Sequence, residues 1–216
     1  MWNRLTHFVS IPCTGENFRD GFHSFKTRVL EENTKETVAE SLFQNPNKLH
    51  LTLGVMTLDD DKSKLLAIET LNDCKESVIR PLLKENKLKI QMSGVDIFKK
   101  NLSKARVLYG KVVCPTDELI LQQLANSVRR CFVDKGLMSG SDQVTLHVTL
   151  MNAQFRIRKE RKNKMKSSTT FDATDILQGF AEYDFGVDEL SGIEISHFGL
   201  YGDNGYYKPL SSITIP

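Results

Sequence analysis

Leu49-His50-Leu51-Thr52-Leu53 and Leu146-His147-Val148-Thr149-Leu150 follow one pattern, apolar-His-apolar-Thr-apolar, at two places 97 residues apart. The 216-residue chain has five histidines and 15 threonines. At that composition about 0.35 His-x-Thr triplets arise by chance, and requiring all three apolar neighbours lowers the number more than tenfold. On a strand, residues i and i+2 share one face at a spacing of about 6.5 to 7 Å. Each stretch therefore reads as a half-buried strand, with its apolar side chains toward a core and one His and one Thr toward whatever the other face covers.

Working outward, each motif lies among similar elements. Residues 5–11 (LTHFVSI) are rich in strand formers and stop at Pro12. Phe18, Phe22, Phe25 and Val29 fall at i, i+4, i+7 and i+11, a helical stripe. After the first motif, Asp59 and Asp60 start a second helix with Leu65, Ile68, Leu71, Cys74 and Val78 on its buried face and its end near Pro81. Strands follow at 88–97 and 105–113. A helix is then announced by Pro115, Thr116, Asp117 and Glu118, striped by Leu121, Leu124, Val128 and Phe132, and stopped by Gly136. The second motif belongs to a strand at 144–151. Residues 172–180 read as a short helix, and 192–201 with 206–215 as a hairpin around Asn204-Gly205. The predicted order is β-α-β-α-β-β-α-β-basic loop-α-β-β, an α+β domain in two similar halves with no linker between them.

The composition is globular, with 40% apolar and 26% charged residues, and the formal net charge is only +2. That average conceals a segment. Residues 156–166 (RIRKERKNKMK) carry seven basic side chains against one acidic, a local charge of +6 that leaves −4 on the rest. Self-repulsion and low apolar content predict a flexible loop at about 156–170. Cys13, Cys74, Cys114 and Cys131 are far apart with no CxxC pair, which argues against a zinc framework and for reduced thiols in a core. The start of the chain has too short an apolar run for a signal peptide, and no run approaches the ~20 residues needed to cross a bilayer. The expectation is a soluble protein of the cytosol or nucleus, with no membrane partner.

Two imidazoles and two hydroxyls around one cleft suit a phosphodiester. An imidazole with an ordinary pKa of about 6.5 serves as base or acid near neutrality, so a pair can take a proton from the attacking oxygen and give one to the leaving oxygen. The Thr hydroxyls can donate to the non-bridging phosphate oxygens, where charge builds in the transition state. Such a site needs no metal or other cofactor.

The two motifs, with THFVSIP at 6–12, LFQNPNKLHLTLGVMTL at 42–58, VLYGKV at 107–112 and LHVTLMNAQFR at 146–156, resemble the two-histidine phosphoesterase superfamily over nearly the whole chain. Within it they are similar to the branch that includes a transcription-cointegrator subunit, with the nucleotide-binding domain of the kinase-anchoring proteins as a further relative. The resemblance implies a bilobal fold, two pseudo-symmetric antiparallel sheets around a central cleft with helices outside. It implies metal-independent action on 2′,3′-cyclic phosphates, 2′,5′-linked oligonucleotides or RNA ends. Carried onto this sequence, it makes His50 and His147 the acid/base pair and Thr52 and Thr149 the phosphate-binding residues. It also implies a nuclear, helicase-containing complex tied to transcriptional coactivation and repair of alkylated nucleic acid. The KH-type RNA-binding domain of that branch is expected to be absent from these 216 residues, whose GxxG tetrads at 199–202 and 202–205 fall in the predicted C-terminal hairpin. The expectation is therefore one phosphoesterase-like domain over 1–216, monomeric in isolation, with an RNA or nucleotide ligand.

Three points stay open in the sequence. Arg156, Arg158, Arg161 and Lys162 either track a nucleic-acid backbone beside the cleft or form a solvated loop or localisation signal. Tyr109 either faces the cleft and stacks on a base or is a core tyrosine. The cleft either turns substrate over or holds a nucleotide while the surface docks a partner. His7, His23 and His197 lack a following Thr and read as structural.

Overall fold

The computed structural model describes residues 4–33, 35–141, 143–162 and 168–216, with the side chains of 160–162 also outside the description. Its centre is an antiparallel, curled sheet of eight strands in the order β6-β3-β4-β5-β2-β1-β7-β8. The strands are β1 His7–Pro12, β2 His50–Met56, β3 Lys89–Ile97, β4 Val107–Val113, β5 Val148–Asn152, β6 Asp184–Glu189, β7 Gly192–Tyr201 and β8 Tyr207–Thr214. The two expected sheets are thus the two four-stranded halves of one sheet. They meet at β5 and β2, which pair through Leu51↔Val148, and these are the strands of the two motifs.

Helices cover the outside. α1, Glu16–Glu32, buries the predicted stripe of Phe18, Phe22, Phe25 and Val29 and lies against β6. Phe25 is the hub of that packing, with ring centroids of Phe180 and Phe185 at 5.0 and 5.2 Å. α4, Ile120–Asp134, buries Leu121, Leu124, Val128 and Phe132 as expected and packs on β2 and α2, Asp61–Cys74. Gly136 sits past its end at φ +71°, a left-handed conformation that glycine adopts without cost. The four cysteines are free thiols, and Cys74 and Cys131 bring their sulfurs to 2.9 Å where α2 meets α4.

The differences from the sequence reading have local causes. Leu65 is 56% exposed, because α2 turns Ala67, Thr70, Leu71 and Cys74 inward. The helical run ends near Pro81 as expected, at Leu83, but it is not one regular α-helix. A single π-type turn at Lys75–Ile79 leads into α3, Arg80–Leu83, where Pro81 falls in the first turn and its missing N–H is not required. α4 starts later than Pro115 suggests, since Asp117 Oδ1 accepts from the N–H groups of Leu119 and Ile120 at 2.9 and 3.2 Å. β6 is a strand the sequence reading lacked. It is an edge strand, DFGVDE, and its charges and Gly186 at φ +100° hide the alternation. The expected loop from 156 is helical as far as Lys162: α5, Ala153–Lys162, turns Ala153 and Ile157 inward one turn apart. The short helix α6 spans Thr174–Gly179.

Candidate active site

His50 is the first residue of β2, and His147 immediately precedes β5. The alternation holds in both motifs apart from Leu146, which is only partly buried. Leu51, Leu53, Val148 and Leu150 are at most 1% exposed, while His50, Thr52, His147 and Thr149 are half-buried on the other face. Extending the Leu51↔Val148 register by one residue each way sets His50 across from Thr149 and Thr52 across from His147. The seam between the halves thus brings two imidazoles and two hydroxyls to one face.

The two imidazoles are held alike. His50 Nδ1–H donates to the Lys48 carbonyl at 2.7 Å, and His147 Nδ1–H donates to the Thr145 carbonyl at 2.7 Å. Each bond leaves Nε2 as the free nitrogen. Burial pushes the His50 imidazole down to about 4, against the opposing effect of its carbonyl bond, and the nearby His147 lowers it further. Burial also lowers His147. Both rings are therefore neutral at pH 7, with one acceptor nitrogen each.

Aromatic rings wall both histidines. Beside His147 stand Phe98 and Tyr109, with centroids at 4.8 and 5.6 Å, and these two rings lie 4.7 Å apart at 33°. Beside His50 stand Phe8 at 5.2 Å and Tyr207 at 5.6 Å. Tyr109 pairs with Thr149 across β4 and β5, as Ser10 pairs with Thr52 across β1 and β2, and a β-bulge precedes each. The equivalent positions differ in size, and β8 compensates. Tyr206, the residue just before it, fills the space next to Ser10, with its hydroxyl 3.1 Å from Ser10 Oγ. Burial raises the Tyr206 phenol, so it stays a neutral donor. Burial and the neighbouring Asp96 carboxylate raise Tyr109 as well. The half-buried Tyr109 thus lies beside the motif residues rather than deep in the core.

Arg129 of α4 ties the motifs together. Its guanidinium donates to the carbonyl of Leu53 in β2 at 3.3 Å and to those of Ser139 and Ser141, in the loop leading to His147, at 2.8 and 2.5 Å. A cavity of about 610 Å³ lined by Pro12, Lys75, Glu194 and Thr214 contains none of the four motif residues.

The basic segment divides. Arg156 is 5% exposed, and it donates to the carbonyls of Thr37, Ser168 and Thr170 at 2.8, 2.9 and 2.6 Å, so it is a latch between segments and not a nucleic-acid contact. Arg158 is exposed and close enough to act electrostatically on Tyr207. Arg161 and Lys162 lie on α5, with side chains outside the described residues. Arg156→Gln is expected to destabilise the fold by about 2–4 kcal/mol, since it removes the three charge-assisted hydrogen bonds by which a buried guanidinium joins two segments. Thermal unfolding checks this, and RNA affinity measured on the folded fraction should not change.

His7 and His197 pack edge to face at 4.9 Å on paired strands, a structural role as expected. The sequence reading missed Ser10, Phe98, Tyr206 and Tyr207 as neighbours of the site. A usable signal existed for the tyrosines, an aromatic doublet at a hairpin tip. None existed for Ser10, whose place follows from register alone.

Residues 5–215 match a family model described as the AKAP7 2′5′ RNA ligase-like domain. The activating signal cointegrator 1 complex subunit 1 of Mus musculus is 30% identical over 221 residues, covering 94% of this chain and 62% of that protein. The chain thus spans less than two thirds of that relative. An uncharacterized protein of Schizosaccharomyces pombe, C15D4.13c, is 24% identical over 212 residues, covering 96% of this chain and 95% of its own. Among solved structures, E. coli LigT complexed with 3′-AMP has a TM-score of 0.60 at 14% identity and covers 98% of both chains, a likeness of fold.

Proposed function

Because the chain belongs to the AKAP7 2′5′ RNA ligase-like domain family, within the two-histidine phosphoesterases, we propose that its cleft is a metal-independent phosphodiesterase site for RNA or oligonucleotide ends carrying 2′,3′-cyclic or 2′,5′-linked phosphates. The observation that carries this reading is the matched pair of Nδ1–carbonyl bonds, which leaves one Nε2 on each side of a single seam. One Nε2 takes the proton of the attacking hydroxyl or water as its oxygen bonds to phosphorus. The other, arriving protonated, gives its proton to the oxygen whose bond to phosphorus breaks. Thr52 and Thr149 donate to the non-bridging oxygens as negative charge accumulates there. Tyr109 offers a ring to the base attached to the linkage.

The mouse relative's name, that of a subunit of an activating signal cointegrator complex, supports a further proposal: the domain works as part of a multi-subunit assembly of that kind.

The test is a panel of RNA ends incubated with the domain in the presence of a chelator, with the His50→Ala/His147→Ala double variant as control. Product from a cyclic or 2′,5′-linked substrate that the double variant does not form supports the reading. Tight binding without product from any substrate replaces it with a non-catalytic nucleotide-holding module. The pH dependence has a fixed sign. Turnover needs one ring neutral and one protonated, and burial disfavours both imidazolium forms, so kcat/KM should peak below the ordinary imidazole value of about 6.5 and fall as pH rises through 7. A profile that rises steadily from pH 6 to pH 9 would contradict the assignment.

A further inference from the structure

A second basic run lies close to the site. Residues 98–106 (FKKNLSKAR), the connection from β3 to β4, hold four cations and no acid. Lys99, Lys100, Lys104 and Arg106 are exposed, and none of them enters an ion pair among the described residues. The connection encloses a cavity of about 220 Å³, with Ile97, Ala105 and Val107 contributing apolar walls and Lys99, Lys104 and Arg106 its charges. Phe98 belongs to both places. Its ring stands 4.8 Å from the His147 ring, it lines this cavity, and it is 50% exposed.

We infer that this cavity is a second phosphate subsite, which holds the backbone of the nucleotide next to the reacting linkage in a single-stranded RNA. The inference rests on the phosphodiesterase reading and gives its substrate a length. The ring of Phe98, tilted only 33° from that of Tyr109, offers a stacking surface between the two phosphate positions. The apolar walls suit a ribose, and three unpaired cations suit its phosphate. An acidic peptide would satisfy the cations, but its carboxylates offer no aromatic base to stack on the exposed ring of Phe98. A mononucleotide cyclic phosphate would reach the histidines and leave the cavity empty, whereas an oligonucleotide would fill both.

The test compares binding of a uridine dinucleotide and of a twelve-nucleotide oligouridylate, both 2′-O-methylated and so without an attacking hydroxyl. With Lys99→Gln/Lys104→Gln/Arg106→Gln, affinity for the oligomer should fall about tenfold or more at moderate salt, and the slope of log K against log salt should flatten by about 2, the release expected from three single-strand contacts. Dinucleotide affinity should stay within about twofold, as should turnover of a cyclic phosphate, and unchanged thermal unfolding shows that the fold is intact. Phe98→Ala should weaken both ligands. Unchanged oligomer affinity and salt slope in the triple variant would overturn the subsite, as would displacement of the oligomer by polyglutamate at equal charge. Loss of oligomer binding in a protein that turns over no substrate would leave the subsite standing and refute the catalytic reading instead.

Discussion

Alanine at His50 or at His147 is expected to lower turnover of a 2′,5′-linked dinucleotide by about 10²- to 10⁴-fold, the usual contribution of a positioned acid or base. Each ring makes one hydrogen bond to a backbone carbonyl two residues before it and is only half-buried, so either variant should remain folded. The double variant should cost little more than the worse single one, because each group acts only while the other is in its complementary protonation state. Single-turnover kinetics with each protein, alongside thermal unfolding, reads both quantities. Retention of more than a tenth of the rate by either single variant would remove that histidine from the mechanism.

The second large effect belongs to the hydroxyls. Thr52→Val and Thr149→Val keep the β-branched shape that the strands favour and delete one donor each. Loss of a donor aimed at developing phosphate charge costs about 10²- to 10³-fold in kcat. If a hydroxyl contacts the ground-state phosphate equally, KM rises and kcat is spared, so the kcat and KM split of each variant distinguishes transition-state stabilisation from simple binding. The two variants should behave alike, since the register sets Thr52 across from His147 and Thr149 across from His50.

What the sequence made legible was periodic. The repeat of apolar-His-apolar-Thr-apolar places four side chains on one face of two strands, and the stripe Phe18, Phe22, Phe25 and Val29 is the buried face of α1 to the residue. What escaped was set by pairing over long separations. β6 is a charged edge strand, recognisable once Lys89↔Glu189 and Ile90↔Asp188 are aligned. Arg156 reads as part of a solvated polycation by composition, yet the carbonyls of Thr37, Ser168 and Thr170 converge on it from two other segments. Tyr206 and Ser10 are 196 residues apart and share a hydrogen bond that no local pattern announces.

The single-bridge seam between β2 and β5 has a consequence for what kind of unit this domain is. Each half owns one imidazole and one hydroxyl, and neither half owns an acid together with a base. On the proposed mechanism, chemistry is therefore a property of the assembled pair, as it is at the interface of a two-fold symmetric dimer, here with both halves in one chain. The difference between the halves is visible where one has Tyr109 and the other has Ser10 with a tyrosine borrowed from the turn before a later strand. Under that mechanism specificity can drift in either half while the reaction stays pinned to the line where they join.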